Sequence, residues 1–323
     1  MKAIVCGNYG SPLDLEIKDL EIPQPKENEL LVKVKATAIN DFDWSLVTGK
    51  PYLYRIMFGL WRPKTPVPGI ELSGTVHKIG SKVNRFKIGD PVYGDISKFG
   101  WGSFAEYVCV REESMVRKPE GMSYLDAAAI PHASMLAYQG LFDLGKLKKG
   151  QKLLINGAGG GMGTFALQLA KLYDSDVTGV DTGEKLEMMK SLGFDKVIDY
   201  REQSFTEAGE RYHLILDAKT TRMPGDYRKA LHQNGVYVTV GGEISNLFRV
   251  FIANKIGASD MQVLALKQNK DLSRIHQYYQ ENHIKPVIDG PYRFEEIPKL
   301  LERFGQASHQ GKMVVTFPDE SQQ

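Results

Sequence analysis

Cysteine is scarce: the chain of 323 residues has two, Cys6 and Cys109. Two thiols cannot build a disulfide framework or a four-cysteine zinc knot. The seven histidines are scattered, with no HExxH pair and no close His/Cys cluster, so no metal site is expected. Long apolar runs are missing as well. None approaches about 18 residues, the length of a transmembrane helix. The opening MKAIVCGNYG has neither the apolar core of a signal peptide nor the Arg/Ser-rich character of a transit peptide, so a cytoplasmic location is expected. Neither sign of charge dominates: Lys plus Arg number 41, Asp plus Glu 39, and the net charge is +2. The signs are mixed along the chain, which removes the basic block on which nucleic-acid binding rests. There is no Gly-x-Ser-x-Gly elbow and no placed thiol, so no covalent nucleophile is expected.

Glycine is plentiful, with 32 residues, and the length suits two domains that each bury a core. The first third reads as strands. Lys2–Cys6 is short and β-prone; Glu29–Ala38 alternates apolar and polar residues, Leu31 aside, and Gly69–Ile79 and Ser103–Val110 behave alike. The aromatic-rich segment Tyr52–Pro68 reads equally as a lid packed on the domain or as a wall of a substrate cleft. Near Ser123, a helix cap, the period changes to alternating strands and helices. Strands are expected at Lys152–Asn156, Val177–Val180, Lys196–Ile198, Leu214–Leu216, Val236–Val240 and Met261–Leu266. Helices fall at Thr164–Tyr173, Glu184–Leu192, Tyr227–His232 and Leu272–Asn282. That alternation gives a parallel sheet covered by helices. A last helix, Ile297–Phe304, and a last strand, Lys312–Phe317, return to the first domain. The expected division is 1–122 for the β-rich domain, 123–267 for the nucleotide-binding domain and 268–323 for the returning segment.

Gly157-Ala158-Gly159-Gly160-Gly161-Met162-Gly163 lies between a strand and a helix. In the GxGxxG register, Ala158, Gly160 and Gly163 take the glycine positions. Small residues let the backbone approach a pyrophosphate, and the helix N-terminus supplies unpaired N–H groups to it. An acidic residue about 20 positions on binds the adenosine ribose in such folds, and Asp181 stands there. A carboxylate favours NAD. Lys185, with Tyr200 and Arg201, argues for the 2′-phosphate of NADP. The residues alone leave that preference open. Hydride transfer needs alignment and oxyanion stabilisation rather than a strong base. Asn40 is the first substrate-side candidate, its amide donating to a carbonyl oxygen, and Asp43 the second. His132, beside Pro131 at the domain junction, stands apart from the other histidines.

Several blocks carry a family likeness: Ala38-Ile39-Asn40-Asp41-Phe42-Asp43-Trp44, Pro68-Gly69-Ile70-Glu71-Leu72-Ser73-Gly74, Gly89-Asp90-Pro91-Val92-Tyr93-Gly94, the glycine loop, and Gly311-Lys312-Met313-Val314-Val315. In order and spacing the chain resembles the medium-chain dehydrogenase/reductase superfamily, in its zinc-free quinone-oxidoreductase branch. The segment around Trp44 resembles most the subgroup of reticulon-4-interacting protein 1 and bacterial NAD(P)-dependent alcohol dehydrogenase-like reductases. The resemblance implies a GroES-like β-barrel-type domain joined to a Rossmann doubly wound parallel sheet, with nicotinamide and substrate in the cleft between them. It implies hydride transfer from NADPH to a quinone or enone, with NADH possible. The zinc enzymes of the superfamily carry Cys where this chain has Asn40 and His where it has Ile70, so the resemblance implies no zinc. It also implies cofactor contacts at Ala158, Gly160, Gly161, Met162, Gly163, Asp181, Lys185, Tyr200, Asp217, Gly241, Gly242 and Lys312. A homodimer paired through the edge of Met261–Leu266 is expected. The Leu216-Asp217-Ala218-Lys219-Thr220 loop departs from the family pattern, and loops 52–68 and 242–257 shape the pocket. Two alternatives stand beside the main reading: an NADH-dependent alcohol dehydrogenase of the same fold, and a weak NADP-binding sensor.

Overall fold

The computed structural model describes residues 1–256 and 260–318. Residues 257–259 and 319–323, the end of the 242–257 loop and the tip of the returning segment, lie outside the described residues. The early strands are β1 (Lys2–Val5), β2 (Glu16–Asp19), β3 (Glu29–Ala38), β4 (Glu71–Ile79), β5 (Pro91–Asp95), β6 (Tyr107–Arg111) and β7 (Val116–Arg117). The middle of the chain adds β8 (Lys152–Asn156), β9 (Asp176–Asp181), β10 (Lys196–Asp199), β11 (Tyr212–Asp217), β12 (Leu231–Thr239) and β13 (Met261–Val263). The last are β14 (Ile288–Arg293) and β15 (Lys312–Thr316).

One unit comprises Met1–His132 and the chain from Ile288 onward. Its 7-stranded sheet runs β14-β15-β3-β4-β5-β7, with β6 also paired to β3. The long β3 organises it by pairing with β4, β6 and β15, all antiparallel. Leu30, Val32 and Val34 of β3 and Leu72 and Val76 of β4 form the core. The helix Ile297–Gly305 adds Ile297, Leu300 and Leu301, the spacing of one helical face. Burying that face and continuing into β15 explains why the tail belongs to this unit.

The second unit is Ala133–Val287. Its 6-stranded sheet is parallel throughout in the order β10-β9-β8-β11-β12-β13, the order of a dinucleotide-binding sheet. Helices Gly161–Lys171, Leu186–Leu192, Pro224–Lys229 and Ile244–Lys255 connect its strands. Leu154, Val180, Ile198, Ile215 and Tyr237 fill the core, where Tyr227 stacks on Tyr237 at 4.1 Å.

The unit boundaries differ from the expected 122/123 and 267/268. Ser123 does cap a helix, Tyr124–Ala129, by accepting from Asp126 N at 3.0 Å. That helix packs Ala128 and Ala129 on Ala36, Ala38 and Val314, so it belongs to the first unit. The second unit extends past 267 because Gln139 Nε2 donates to Lys267 O and Asp271 Oδ2, and Gln168 Nε2 donates to Lys285 O. The helix expected over Tyr227–His232 instead ends at Lys229, and His232 lies in β12. Pairing of Leu231 with Tyr212 recruits the following residues into the sheet. The strand expected to reach Leu266 stops at Val263, and the outer edge of β13 has no partner strand among the described residues.

Candidate active site

In the second unit, the end of β8 feeds a loop built for close approach. Gly157 turns the chain at φ 86°, and the N–H groups of Gly157 and Ala158 both donate to Val180 O. Gly160 caps the helix Gly161–Lys171 with extended backbone. The first-turn amides of Gly161, Met162 and Gly163 have no carbonyl of their own helix to meet, which leaves donors for an anion. A Cβ at Gly163 would stand 2.4 Å from Ala158 O, so only glycine lets the helix start so near the loop. A Cβ at Gly159 would meet Lys185 Cδ at 2.7 Å and Asp181 Oδ2 at 3.2 Å.

Asp181 ends β9 beneath this loop. Its Oδ2 accepts from Gly159 N at 2.9 Å and its Oδ1 from Thr182 N at 2.9 Å. Lys185 Nζ lies 3.2 Å from Oδ1, and both side chains are buried. Burial pulls the Lys185 ammonium below its ordinary range against the pull of Asp181, and Lys219 pushes it the same way as burial. Tyr200, half exposed after β10, donates its N–H to Asp181 O at 3.2 Å. Arg201 does not join this group: Glu184 at 2.8 Å and Asp199 at 3.2 Å hold its guanidinium.

Two of the expected cofactor contacts, Asp217 and Lys312, are engaged by other protein groups. Asp217 is fully buried. Its Oδ1 accepts from Asn156 Nδ2 and from Lys219 N and Thr220 N, and its Oδ2 accepts from Tyr237 Oη. A carboxylate with four donors orders the loop after β11. Gly241 and Gly242 lean on that loop, and a Cβ on Gly242 would come 2.2 Å from Lys219 O. Lys312 lies in the first unit, with its ammonium 2.5 Å from Glu71 Oε1 and the pair buried.

That pair is the centre of a polar network in the first unit. Asn40 opens the helix Asp41–Thr48. Its Oδ1 accepts from Lys312 Nζ, and its Nδ2 donates to Ala38 O at 3.2 Å and to Glu71 Oε1 at 2.9 Å. Both amide protons are spent, so the donor role expected of Asn40 toward a substrate carbonyl has no free proton in this arrangement. Asp43 is fully buried too, accepting from Asn40 N at 2.9 Å and Gly69 N at 3.0 Å. It straps the helix start to the strand entry and faces no solvent. Burial pushes its carboxyl up to about 8, against those two N–H bonds and Lys312.

Glu71 Oε2 accepts from His132 N at 2.9 Å. The His132 Nδ1 then meets Asp95 Oδ2 at 2.8 Å, and its Nε2 stands 4.0 Å from Asp41 Oδ1, the exposed member of the set. Burial opposes a charged imidazole, but the hydrogen bond and charge of Asp95, then Asp41 and Glu71, raise it above the ordinary 6.5. Burial likewise opposes the Asp95 carboxylate, yet His132 and Ser97 hold it below the ordinary 3.8. The signs define a pH window. The His132 contribution to stability is complete below 6.5 and is lost as pH rises through its raised value; that of Asp95 is complete above 3.8 and is lost as pH falls through its lowered value. His132→Asn should therefore abolish the alkaline decline in unfolding free energy that the dyad imposes. Urea unfolding across pH checks this, and an unchanged slope above pH 6.5 refutes it.

Sequence reading missed Asp95, Asp41 and Lys219. The Asp95–His132 pair spans 37 residues, and no local spacing marks it. Lys219 carries its stem beside Gly157, where a Cβ would lie 3.5 Å from Cε; its only mark was a loop that departs from the expected pattern. Phe42, which meets the His132 ring edge-on at 6.0 Å, contacts Tyr54 and Trp101, and Phe58 contacts Trp101. The 52–68 segment is thus packed along its inner side.

Residues 26–120 match the family described as Alcohol dehydrogenase GroES-like domain, and residues 192–315 match Zinc-binding dehydrogenase. The chain is 31% identical to a 2-methylene-furan-3-one reductase of Solanum lycopersicum, over 98% of this chain and 79% of that protein. It is 30% identical to an NADPH-dependent alkenal/one oxidoreductase, chloroplastic, of Arabidopsis thaliana, over 98% and 80% of the two chains. The solved quinone oxidoreductase from Coxiella burnetii superposes with a TM-score of 0.87 at 27% identity, over 98% of this chain and 99% of that one.

The zinc named in the second family description does not fit the residues present. Asn40 and Glu71 already share the ammonium of Lys312, a cation where a metal would need open donors, and Ile70 is buried and apolar. Cys6 and Cys109 are both pushed up to about 11 by burial, so neither offers a thiolate at neutral pH. Among the described residues no group of three or more His, Cys, Asp or Glu could hold a metal ion.

Proposed function

The chain belongs to the medium-chain dehydrogenase/reductase superfamily, quinone-oxidoreductase-like, and as an oxidoreductase of that family we propose that it uses NADPH, without zinc, to reduce a quinone or an enone-type carbonyl compound. One observation carries the cofactor preference: the carboxylate that would repel a 2′-phosphate, Asp181, is neutralised by the buried ammonium of Lys185, and Lys219 adds positive charge nearby. The first-turn amides of Gly161, Met162 and Gly163 receive the pyrophosphate, and Tyr200 flanks the adenosine end. Bound NADPH supplies the hydride. Asp217 keeps the 218–220 loop and Gly241–Gly242 in register. On the acceptor side, His132 is a group able to hold a proton, since its Nε2 is the one ring nitrogen not bound to Asp95.

Steady-state oxidation of NADPH and NADH with a panel of quinones and enones tests the reading. NADPH should win by several-fold in kcat/KM, and EDTA should leave turnover unchanged. A second reading, an NADH-dependent alcohol dehydrogenase, is favoured by the position of Asp181 at the end of β9. A strong NADH preference that disappears in Asp181→Ala would establish it instead.

A further inference from the structure

One surface of the first unit combines exposed apolar side chains with basic ones. Between Asp43 and Glu71 the chain has no acidic residue. That stretch places Lys50, Arg55, Arg62 and Lys64 among Tyr52, Leu53, Ile56, Met57, Leu60 and Trp61. The short helix Tyr54–Phe58 divides it into two sides. Tyr54 and Phe58 turn inward onto Phe42 and Trp101. The outer side is bare: Trp61 is 90% exposed, Ile56 66% and Leu60 62%. Ile56, Leu60 and Trp61 line one hollow together with Arg62 and Lys64.

The charges are held at this face. Arg55 lies over the rings of Tyr9 and Tyr52 at 4.5 and 4.9 Å and donates to Gly49 O. Glu302 lines the neighbouring hollow beside Lys50 and Arg55. Arg62 and Lys64 have no carboxylate partner among the described residues. A tryptophan in water beside exposed isoleucine and leucine, rimmed by unpaired cations, is the composition of an interfacial membrane surface. The indole suits the headgroup level, the aliphatic residues reach the acyl boundary, and the cations meet anionic headgroups. A second copy fits poorly, because a two-fold contact centred on this face would bring together two surfaces whose 44–70 stretches carry cations and no carboxylate.

We propose that the Lys50–Lys64 face docks the protein peripherally on an anionic lipid bilayer. The inference stands apart from the cofactor and substrate reading.

The test uses the full chain with phosphatidylcholine vesicles, with or without phosphatidylserine, at low and high salt. The protein should co-sediment with the phosphatidylserine vesicles, more weakly at high salt, and its tryptophan emission should shift to the blue. Arg62→Glu with Lys64→Glu should lower the partition coefficient by at least about thirty-fold, since each basic residue near the surface contributes roughly fivefold and the added carboxylates repel anionic headgroups. Trp61→Ser should remove most of the blue shift while leaving the far-UV spectrum unchanged. The proposal is overturned if the parent fails to bind anionic vesicles at low salt, or if binding is the same in these variants. Self-association lost in Trp61→Ser without vesicle binding would assign the face to a second copy and overturn it too. A wild-type chain inactive on every quinone and enone leaves this test intact.

Discussion

Lys312→Met is expected to destabilise the first unit by about 3–5 kcal/mol, the usual loss when one partner of a buried ion pair is removed. Glu71 has no exposed surface, and the 2.5 Å contact with Lys312 is its one salt bridge among the described residues. Its other bonds come from Asn40 Nδ2 and His132 N, which satisfy lone pairs but do not cancel a charge. The stranded carboxylate would also leave the Lys312 side of Asn40 Oδ1 without its donor. One outcome separates this account from simple loss of packing. Adding Glu71→Gln should restore most of the loss, since a neutral glutamine leaves no charge stranded and can still accept from His132 N. Chemical unfolding of the single and double variants measures this. A single variant within about 1 kcal/mol of the parent, the range of an ordinary surface change, would show that the pair is dispensable.

Lys185→Ala should lower kcat/KM for NADPH by about 10- to 150-fold, the equivalent of one charged hydrogen bond worth about 1.5–3 kcal/mol, and should spare NADH. The effect has two parts. The variant loses a cation, and it uncovers the Asp181 carboxylate that Lys185 neutralises at 3.2 Å. Asp181→Asn in the same background should recover the second part only. The ratio of NADPH to NADH turnover for the single and double variants reads the two separately. A Lys185→Ala enzyme that keeps its NADPH preference would mean that the positive charge comes from elsewhere, with Lys219 the next residue to replace.

The contrast between these two sites shows what a linear reading can reach. The glycine loop was legible because its chemistry is local: strand, tight turn and helix start lie within a dozen residues, and glycine is required at Gly163 by contact with Ala158 in the same loop. Glu29–Ala38 was legible because alternation reports a half-buried strand directly, and the strand has those bounds. Lys185 and Asp181 are four residues apart, so their pairing was open to inspection. Asn40, Asp43, Asp217 and Lys312 are of polar types that suit a site, and each also has partners inside its own unit. Nothing adjacent in sequence announces that use. The missed strands Glu16–Asp19 and Ile288–Arg293 are short or interrupted, the second by a register shift against β15.

By itself, then, the sequence determined the alternation of elements, the dinucleotide loop and the family, since backbone sterics and helical or strand periods act over a few residues. Only the tertiary structure decided which charges are spent. Lys312 reaches Asn40 across 272 residues, and His132 reaches Asp95 across 37. A buried charge must find a counter-charge wherever the fold brings one, because desolvation is too costly otherwise, and that choice is made by the folded chain as a whole.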